Sequence, residues 1–405
     1  MITALRGMKD IIDEGAKFEY ILQVATAVAR RYGFELIETP ILEETALFKR
    51  SVGESSDIVG KEMYQFIDKG GNDICLRPEG TAGVVRAFIE KRLDKAGGVQ
   101  RYFYHGPMFR YERPQKGRLR QFHQFGVECF GQQSVYEDAA MILMAADIFD
   151  RLQIAYTLEI NSLGCDACLP PYRQALVAFL AQHTEAICGD CQRRQESNPI
   201  RVLDCKNSSC QALYAQAPLM ADHLCGECEG EFAQLKEMLD RAHITYRHNK
   251  KLVRGLDYYN KSAFEFVSAE IGAQSAIAGG GRYDRLVGFL GGRPTPAVGF
   301  ALGIERIYDL VSLPSVQRGG WYLGALEPEA LEPLFFLSHT LRQQSYTHFS
   351  AEAKKLKAHL KAADRLGVRY CAVMGETELA QKSLWVKDLV EKSEKHILLS
   401  EVQGG

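Results

Sequence analysis

Cysteines are the residues best placed for chemistry in this chain, and eight of them fall in close pairs: Cys165 and Cys168, Cys188 and Cys191, Cys205 and Cys210, Cys225 and Cys228. The first two pairs are 19 residues apart. This matches zinc sites in which two C-x2-C pairs lie about 15 to 20 residues apart. The last two pairs supply a second set of four. Because four thiolates leave no open coordination position, the pattern predicts structural zinc.

The pairing of these cysteines stays open at the level of sequence. The pairs could combine in chain order or interleave, and His183 or His223 could replace a thiolate. The alternative is that some of them are reduced thiols facing solvent. We expect a cytoplasmic protein, since the start of the chain lacks a secretion signal, and thiols in that compartment stay reduced.

A second group of reactive residues is cationic. The stretch "FRYERPQKGRLRQFHQFGVE" (109–128) holds five cations in eleven positions: Arg110, Arg113, Lys116, Arg118 and Arg120. The formal net charge of the chain is only −2, which excludes a globally basic nucleic-acid binder but permits a local basic patch. Guanidinium groups bind phosphate oxygens bidentately. The stretch therefore predicts a phosphate site, with an exposed charged hairpin tip as the alternative.

Three shorter segments carry weaker signals. Glu79 and Thr81 lie at a predicted helix start, where Thr81 is a plausible cap. "LVRGLDYYN" (252–260) brings together a cation, an acid and two tyrosines: Arg254, Asp257, Tyr258 and Tyr259. Arg306 falls in the first turn of a predicted helix, where the macrodipole disfavours a cation unless an anion offsets it. The sequence contains no P-loop, HExxH or GxSxG motif, so those classes of enzyme are excluded.

The elements that must position these residues are mainly antiparallel strands. Strands predicted near 101–111 and 120–130 flank the basic stretch, and period-two alternation places Gln124 and Glu128 on one face. Gly106 and Gly126 are predicted to mark the close approach of a ligand. An amphipathic helix is predicted over 17–32, before Gly33.

Length and composition indicate a globular protein of two or three domains. The chain has 405 residues, of which 46% are hydrophobic and 25% charged. No apolar run reaches the roughly 20 residues needed to cross a bilayer. After a predicted linker at 312–320, strands and helices alternate, which is typical of a small α/β domain with a parallel sheet.

Together these segments resemble the histidyl-tRNA synthetases, which are class II aminoacyl-tRNA synthetases, over essentially the whole chain. The predicted first helix with "ELIETP" is similar to motif 1, "GPMFRYERPQKGRLRQFHQFGVECFG" to motif 2, and "AVGFALGIERI" to motif 3. "LVRGLDYYNKSAFEF" and "GGGRYDRLVGFLGG" resemble the two signatures of the histidine enzymes. Arg285 and Leu119 depart from the usual pattern, and the cysteine-rich insertion is not universal in the family.

The resemblance implies an α+β fold, in which a six-stranded antiparallel catalytic sheet is joined to a C-terminal α/β anticodon-binding domain. The implied domains are a catalytic domain in two parts (1–164 and 246–318), a Cys-rich insertion (165–245) and the anticodon-binding domain (321–405). A homodimer formed partly through motif 1 is also implied.

The resemblance further implies a histidine–tRNA ligase that uses L-histidine, ATP with Mg²⁺, and tRNA-His. Arg110 would bind the α-phosphate and the amino-acid carboxylate, Glu112 the adenine and Arg306 the γ-phosphate, while Arg254 would act as the catalytic cation. The histidine pocket would comprise Glu79, Gly80, Thr81, Gln124, Glu128, Tyr258 and Tyr259. The alternatives are a histidine-sensing regulatory paralogue of the same fold without tRNA charging, or a zinc-dependent nucleic-acid-binding module without catalysis.

In the C-terminal domain, "KKLKAHLKAADR" predicts a helix with Leu356, Leu360 and Ala363 facing inward. The opposite face would then carry Lys354, Lys355, Lys357, Lys361 and Arg365. These cations are predicted to face tRNA phosphates, and a solvated helix face is the alternative.

Overall fold

The structure is a computed structural model that describes residues 2–12, 14–53, 56, 58–115, 117–205, 207–256, 258–271, 276–314 and 317–403. Lys116 and Asp257, both singled out above, lie outside the described residues. The chain divides into two compact units, Met1–Leu313 and Pro314–Gly405.

The first unit is organised around a large sheet and a small one. Its strands are β1 Glu35–Leu36, β2 Leu42–Glu44, β3 Tyr64–Ile67, β4 Asp73–Leu76, β5 Gln100–Phe109, β6 Gln121–Phe130, β7 Thr157–Ser162, β8 Tyr246–His248, β9 Asn260–Val267, β10 Ala276–Arg282 and β11 Ala297–Gly303. Within the described ranges the large sheet has eight strands, in the order β1-β5-β6-β11-β10-β9-β7-β8. In this order, the six strands from β5 through β7 pair antiparallel with their neighbours. The two edge strands are parallel to theirs, β1 to β5 and β8 to β7. The expected antiparallel sheet is confirmed.

The helices of this unit cover and connect the sheets. They are α1 Gly15–Arg31, α2 Thr45–Val52, α3 Thr81–Glu90, α4 Leu93–Ala96, α5 Val135–Arg151, α6 Leu169–Ala181, α7 Gly189–Ser197, α8 Ser208–Leu213, α9 Gly226–Arg241, α10 Leu286–Phe289 and α11 Ile304–Ile307. The predicted first helix is confirmed, since its apolar stripe of Ile21, Ala25 and Val28 is buried in the core beneath the large sheet. Gly33 follows it with φ +79°, a left-handed conformation that side chains disfavour.

Between β7 and β8 the described chain forms helices and no strand: α6 to α9, with short 3₁₀ turns at Thr184–Ala186, Pro199–Asp204, Tyr214–Gln216 and Met220–His223. This segment has its own core of cysteines, tyrosines and aliphatic residues. Its last helix, α9, instead buries Phe232, Leu235 and Leu239 in the core of the large sheet. The segment is thus anchored to the sheet through its exit helix.

The second unit is a five-stranded sheet covered by helices. Its strands are β12 Trp321–Ala325, β13 Thr347–Phe349, β14 Tyr370–Met374, β15 Ser383–Asp388 and β16 Glu394–Leu398, and its helices are α12 Leu331–Leu341, α13 Leu356–Arg365, α14 Glu376–Gln381 and α15 Leu399–Gln403. The described strands are ordered β13-β12-β14-β15-β16. The predicted parallel sheet is correct for the first three. The prediction did not include β15 and β16, which form an antiparallel hairpin at one edge.

The predicted inward face of α13 is confirmed for Ala363, which is buried, and Leu360 packs partly buried against the same core. It is wrong for Leu356, which is the first residue of α13 and is 36% exposed. His359 also lies on the buried face. His359 is fully buried because both ring nitrogens are satisfied, by the Tyr322 hydroxyl at 2.9 Å and the carbonyl oxygen of Ala325 at 2.9 Å.

Candidate active site

A cavity of about 180 Å³ in the first unit brings together residues that are far apart in the sequence. The predicted site residues that line it are Glu79, Thr81, Arg110, Glu112, Gln124, Arg254, Tyr258, Tyr259 and Arg306. Gly80 and Glu128 are outside the lining and lie against Tyr104, which does line it. The predicted residues therefore converge on one place.

Three predicted arginines reach this cavity from different elements. Arg110, just beyond β5, donates from Nε to the carbonyl oxygen of Pro78 at 2.9 Å. Arg306 in α11 donates from Nη1 to the carbonyl oxygen of Ala276 at 2.7 Å. Arg254 donates from Nη1 to Oε1 of Glu265 at 2.7 Å. Backbone and carboxylate acceptors thus hold the guanidinium groups in place.

The electrostatics of these arginines favour an anionic ligand. Burial, together with the charges of Arg110 and Arg118, lowers the pKa of Arg306 to about 10. Burial also lowers the pKa of Arg110. Burial also disfavours the charged form of Arg254. The attraction of the Glu265 carboxylate has the larger effect, however, so the pKa of Arg254 is raised. Cations that repel one another in a partly desolvated cavity are stabilised when an anion enters.

The guanidinium of Arg254 lies over Gly279 in β10, a position without a side chain. A Cβ atom built at Gly279 in β10 would come within 2.4 Å of both Nη atoms of Arg254. The Nε atom of Arg254 is buried and has no hydrogen-bond partner among the described residues. The strand thus gives the guanidinium room, and one of its donors remains available for a ligand.

The carboxylate of Glu79 caps helix α3. It accepts hydrogen bonds from the backbone N–H groups of Thr81 at 2.7 Å and Ala82 at 2.9 Å. The prediction that Thr81 is the cap is therefore wrong, because Thr81 is the first residue of the helix. Its hydroxyl instead donates to Oε1 of Glu128 at 2.6 Å. Burial raises the pKa of Glu79.

Glu128 is the centre of a buried hydrogen-bond network. Besides Thr81, its carboxylate accepts from the hydroxyls of Tyr104, at 3.3 Å, and Tyr283. Burial raises the pKa of Glu128 from 4.5 to about 8. Sequence reasoning missed both tyrosines. Tyr283 lies within the quoted "GGGRYD" signature, and Tyr104 lies one alternation before Gly106.

The two strand glycines have a different role from the one predicted. A Cβ at Gly126 would overlap the ring of Tyr104, and a Cβ at Gly106 would meet the guanidinium of Arg77. Gly80 contacts the other side of the Tyr104 ring. The glycines therefore admit neighbouring side chains of the protein, and the expectation that they mark ligand contact is not supported.

The remaining predicted residues complete the polar wall. The rings of Tyr258 and Tyr259 lie 4.7 Å apart, and the guanidinium carbon of Arg254 is 5.6 Å from the Tyr259 ring. Within the described structure, Oε1 of Gln124 is buried without a partner. Glu112 pairs with Arg118, one of the five cations of the basic stretch.

Leu119 and Arg285, the two residues that depart from the family pattern, lie at the cavity and beside the helical segment, respectively. Leu119 lines the cavity. Arg285 donates from Nη1 to Oδ1 of Asp166 at 2.9 Å, between the first two cysteines of the helical segment. Arg285 therefore links the sheet region to that segment.

The eight paired cysteines gather into two groups outside the cavity, each with all its sulfur atoms within 4.8 Å of one another. The outer cluster contains Cys165, Cys168, Cys225 and Cys228, and the inner cluster contains Cys188, Cys191, Cys205 and Cys210. The pairing is nested and does not follow chain order. His183 and His223 belong to neither cluster, since they contact the rings of Phe179 and Tyr172.

An antiparallel sheet with an arginine-lined cavity, together with a separate α/β unit, is the architecture of the class II aminoacyl-tRNA synthetases. A family model described as histidyl-tRNA synthetase matches residues 7–307, and one described as anticodon binding domain matches residues 329–404. The chain belongs to the histidyl-tRNA synthetase family.

Curated relatives and a solved structure agree with this assignment. The chain is 61% identical to the histidine–tRNA ligase of Sulfurimonas denitrificans, covering 98% of this chain and 99% of that protein. It is 58% identical to the histidine–tRNA ligase of Sulfurovum sp., over 99% of this chain and 100% of that protein. The crystal structure of apo histidyl-tRNA synthetase from S. aureus is 32% identical, with a TM-score of 0.83, and covers 100% of this chain and 99% of that one.

Proposed function

We propose that the chain activates L-histidine with ATP and transfers it to the 3′ end of tRNA-His. Its activity is that of a histidine–tRNA ligase, an aminoacyl-tRNA ligase. The observation that carries the proposed chemistry is the convergence of Arg110, Arg254 and Arg306 on a cavity whose other walls hold carboxylates and tyrosines. Its lining offers cations for a triphosphate and hydrogen-bonding groups for a small polar amino acid.

In the first step, ATP enters as its magnesium complex. Arg110 binds the α-phosphate, Arg306 the γ-phosphate, and Glu112 the adenine. The histidine carboxylate attacks the α-phosphorus in line, so a new O–P bond forms and the O–P bond to pyrophosphate breaks. No general base is needed, because the carboxylate is already ionised. Arg254 and Arg110 stabilise the charge that develops on the phosphoryl oxygens.

Histidine is held by groups that would be left unpaired with an apolar substrate. Among the described residues, the buried Oε1 of Gln124 has no partner, and Tyr258 and Tyr259 line the same cavity. Glu79, Thr81 and Glu128 form the adjoining hydrogen-bonded network, with Gly80 between the first two. A site built to pair with polar substrate groups rejects analogues that lack them, because its own groups then stay unsatisfied.

In the second step, the 3′-terminal hydroxyl of tRNA attacks the carbonyl carbon of the adenylate. An ester bond forms and AMP leaves. In the second unit, Lys354, Lys355, Lys357, Lys361 and Arg365 are all exposed along or beside α13. This face binds tRNA phosphates, and the second unit recognises the anticodon.

Further features follow from the family. We propose a homodimer formed partly through α1, a location in the cytoplasm, and structural zinc in a Cys-rich insertion domain over residues 165–245. The remaining proposed bounds are 1–164 and 246–318 for the catalytic domain and 321–405 for the anticodon-binding domain. No helix in the described part of the chain is both long and apolar enough to span a bilayer.

A histidine-sensing regulatory paralogue is not favoured. The curated relatives that match nearly the full length of the chain are named as ligases. A nucleic-acid-binding module without catalysis would not need a cavity that holds three arginines opposite buried carboxylates.

Charging of unfractionated tRNA with each amino acid in turn tests the proposal, and only histidine should be transferred. Pyrophosphate exchange into ATP should likewise depend on histidine. Arg254→Ala should slow this exchange by about 100- to 1,000-fold, since it removes a preorganised donor. The exposed Arg151→Ala should exchange normally. Exchange by Arg254→Ala at the rate of the unaltered chain would remove Arg254 from the catalytic role.

A further inference from the structure

The two cysteine clusters have the geometry of closed metal sites. In the outer cluster, Sγ of Cys165 lies 3.6 Å from Sγ of Cys168 and 3.7 Å from Sγ of Cys225. In the inner cluster, the sulfur atoms of Cys188 and Cys205 are 3.8 Å apart. Four sulfurs placed tetrahedrally at about 2.3 Å from a zinc ion are separated by about 3.8 Å. These separations match that tetrahedron and are far longer than the roughly 2.05 Å of a disulfide.

Backbone donors point at the sulfur atoms in both clusters. The N–H of Cys225 donates to Sγ of Cys168 at 3.1 Å, and the N–H of Cys188 donates to Sγ of Cys210 at 3.2 Å. Such bonds stabilise thiolate, which is the form that binds a metal. Tetrahedral sites of four sulfurs favour zinc or iron.

The inner cluster fixes the short helix Pro199–Asp204, which ends directly before Cys205. The N–H of Cys205 donates to the carbonyl oxygen of Val202 at 3.0 Å, and Val202 is fully buried in the cysteine-lined core. Arg194 in α7 donates to the carbonyl oxygen of Arg201 at 3.3 Å. Because α7 also carries Cys191, the ligands of the inner cluster hold the backbone of Arg201 from both sides.

Arg201 reaches from this helix to the segment that carries Arg254. Its Nη2 donates to the carbonyl oxygen of Gly255 at 2.7 Å, and Arg201 is only 9% exposed. Val253 packs against the cysteine-lined core. Both neighbours of Arg254 in the chain are thus held by the helical segment that contains the clusters.

We propose that the chain binds two zinc ions, one in each cysteine cluster, and that the inner ion positions Arg254 through Arg201. The outer ion would connect the chain that follows β7, through Cys165 and Cys168, to the start of α9, through Cys225 and Cys228. It would thus hold together the two ends of the helical segment. Arg201 is a positioning residue, which acts on the reaction through the backbone beside Arg254. The kinetic part of this inference rests on the proposed function, whereas the metal and backbone parts do not.

Elemental analysis of the purified chain tests the metal sites, and two zinc ions per chain are expected. Cys205→Ser and Cys225→Ser should each retain one, and Cys371→Ala, in the second unit, should retain both. A chain that folds without metal, or that holds iron, would overturn the assignment.

Hydrogen exchange and kinetics test the positioning role. Arg201→Ala should keep two zinc ions and remain folded at the assay temperature, yet its backbone amides at 252–256 should exchange faster. Its kcat for histidine-dependent pyrophosphate exchange should fall on the order of 100-fold, as expected for a misplaced catalytic group. Arg201→Lys, which keeps a donor, should recover part of this loss, and the exposed Arg241→Ala should lose nothing.

The possible outcomes separate the two proposals. If the unaltered chain shows no histidine-dependent exchange but Arg201→Ala still loosens residues 252–256, then the positioning inference stands and the proposed function fails. If Arg201→Ala shows unchanged hydrogen exchange and unchanged kcat, the positioning inference is overturned.

Discussion

At the scale of single residues, the cavity shifts the protonation equilibria of the groups that line or adjoin it. Burial, and then the charges of Arg110 and Arg118, lower the pKa of Arg306 to about 10. On the other wall, burial keeps Glu128 protonated near neutral pH. The phosphates of a ligand would offset the repulsion among the arginines. Its polar end would meet Oε1 of Gln124, which has no partner among the described residues.

Gly279→Ala should displace the guanidinium of Arg254, since the new Cβ would lie within 2.4 Å of two of its nitrogens. The rate of histidine-dependent pyrophosphate exchange should fall by roughly 100-fold while the fold is kept. Gly288→Ala is a matched control, because its Cβ would make only an ordinary contact of 3.8 Å with Pro294. Equal rates for the two variants would show that Arg254 tolerates displacement.

Glu128→Gln should change how stability depends on pH. The folded pKa of about 8 exceeds the ordinary value of 4.5, so the folded state binds more protons than the unfolded state between these values. The contribution of Glu128 to the free energy of unfolding therefore falls as pH rises through this window. Denaturant unfolding at several pH values measures this. As pH rises, the free energy of unfolding of the unaltered chain should fall relative to that of Glu128→Gln. The exposed Glu90→Gln should show no such trend.

At the scale of elements, buried polar contacts tie the helical layer to the strands that form the site. Asp138 in α5 accepts hydrogen bonds from Arg282 in β10 and from Ser262 in β9. Arg282 is only 2% exposed and also donates to the carbonyl oxygen of Gln132 at 2.9 Å. This network keeps α5, β9 and β10 in register behind the segment that carries Gly279.

Asp138→Ala should destabilise the first unit by about 3 to 5 kcal/mol, because it leaves the Arg282 charge buried without its main partner. Equilibrium unfolding in urea measures this loss. The exposed pair of Asp147 and Arg151, at 2.8 Å on the same helix, provides the control. Asp147→Ala should cost less than about 1 kcal/mol. Similar costs for both variants would mean that the buried pair contributes no more than a surface pair.

At the scale of the whole molecule, the proposed function assigns a different task to each unit. All the residues around the proposed adenylation cavity belong to the first unit. The exposed cationic face of α13 belongs to the second. Amino-acid activation and tRNA binding should therefore respond separately to substitutions in the two units.

Replacing Lys357 and Lys361 together by alanine should raise the KM for tRNA and leave histidine-dependent pyrophosphate exchange unchanged. The salt dependence of tRNA binding should weaken by about one unit of slope for each lost phosphate contact. The exposed Lys395→Ala, on β16 of the same unit, is the matched control. An unaltered KM for tRNA in the double variant would exclude this face from tRNA binding.

Local sequence pattern by itself determined the elements whose signals repeat over many residues. The stripe of α1, the two strands around the basic stretch and the alternation of the second unit were all predicted near their observed bounds. The predicted site residues came from the resemblance to the family's motifs, and most of them line one cavity.

Only the tertiary structure decided which distant groups meet. The nested cysteine pairing depends on how the helices between β7 and β8 pack, and spacing along the chain does not encode this. The contacts of Glu128 with Thr81, Tyr104 and Tyr283, and that of Arg254 with Glu265, likewise join residues that lie on different elements. Short-range periodicity reports which face of an element is apolar, whereas partners far apart in sequence are set by the packing of the whole sheet.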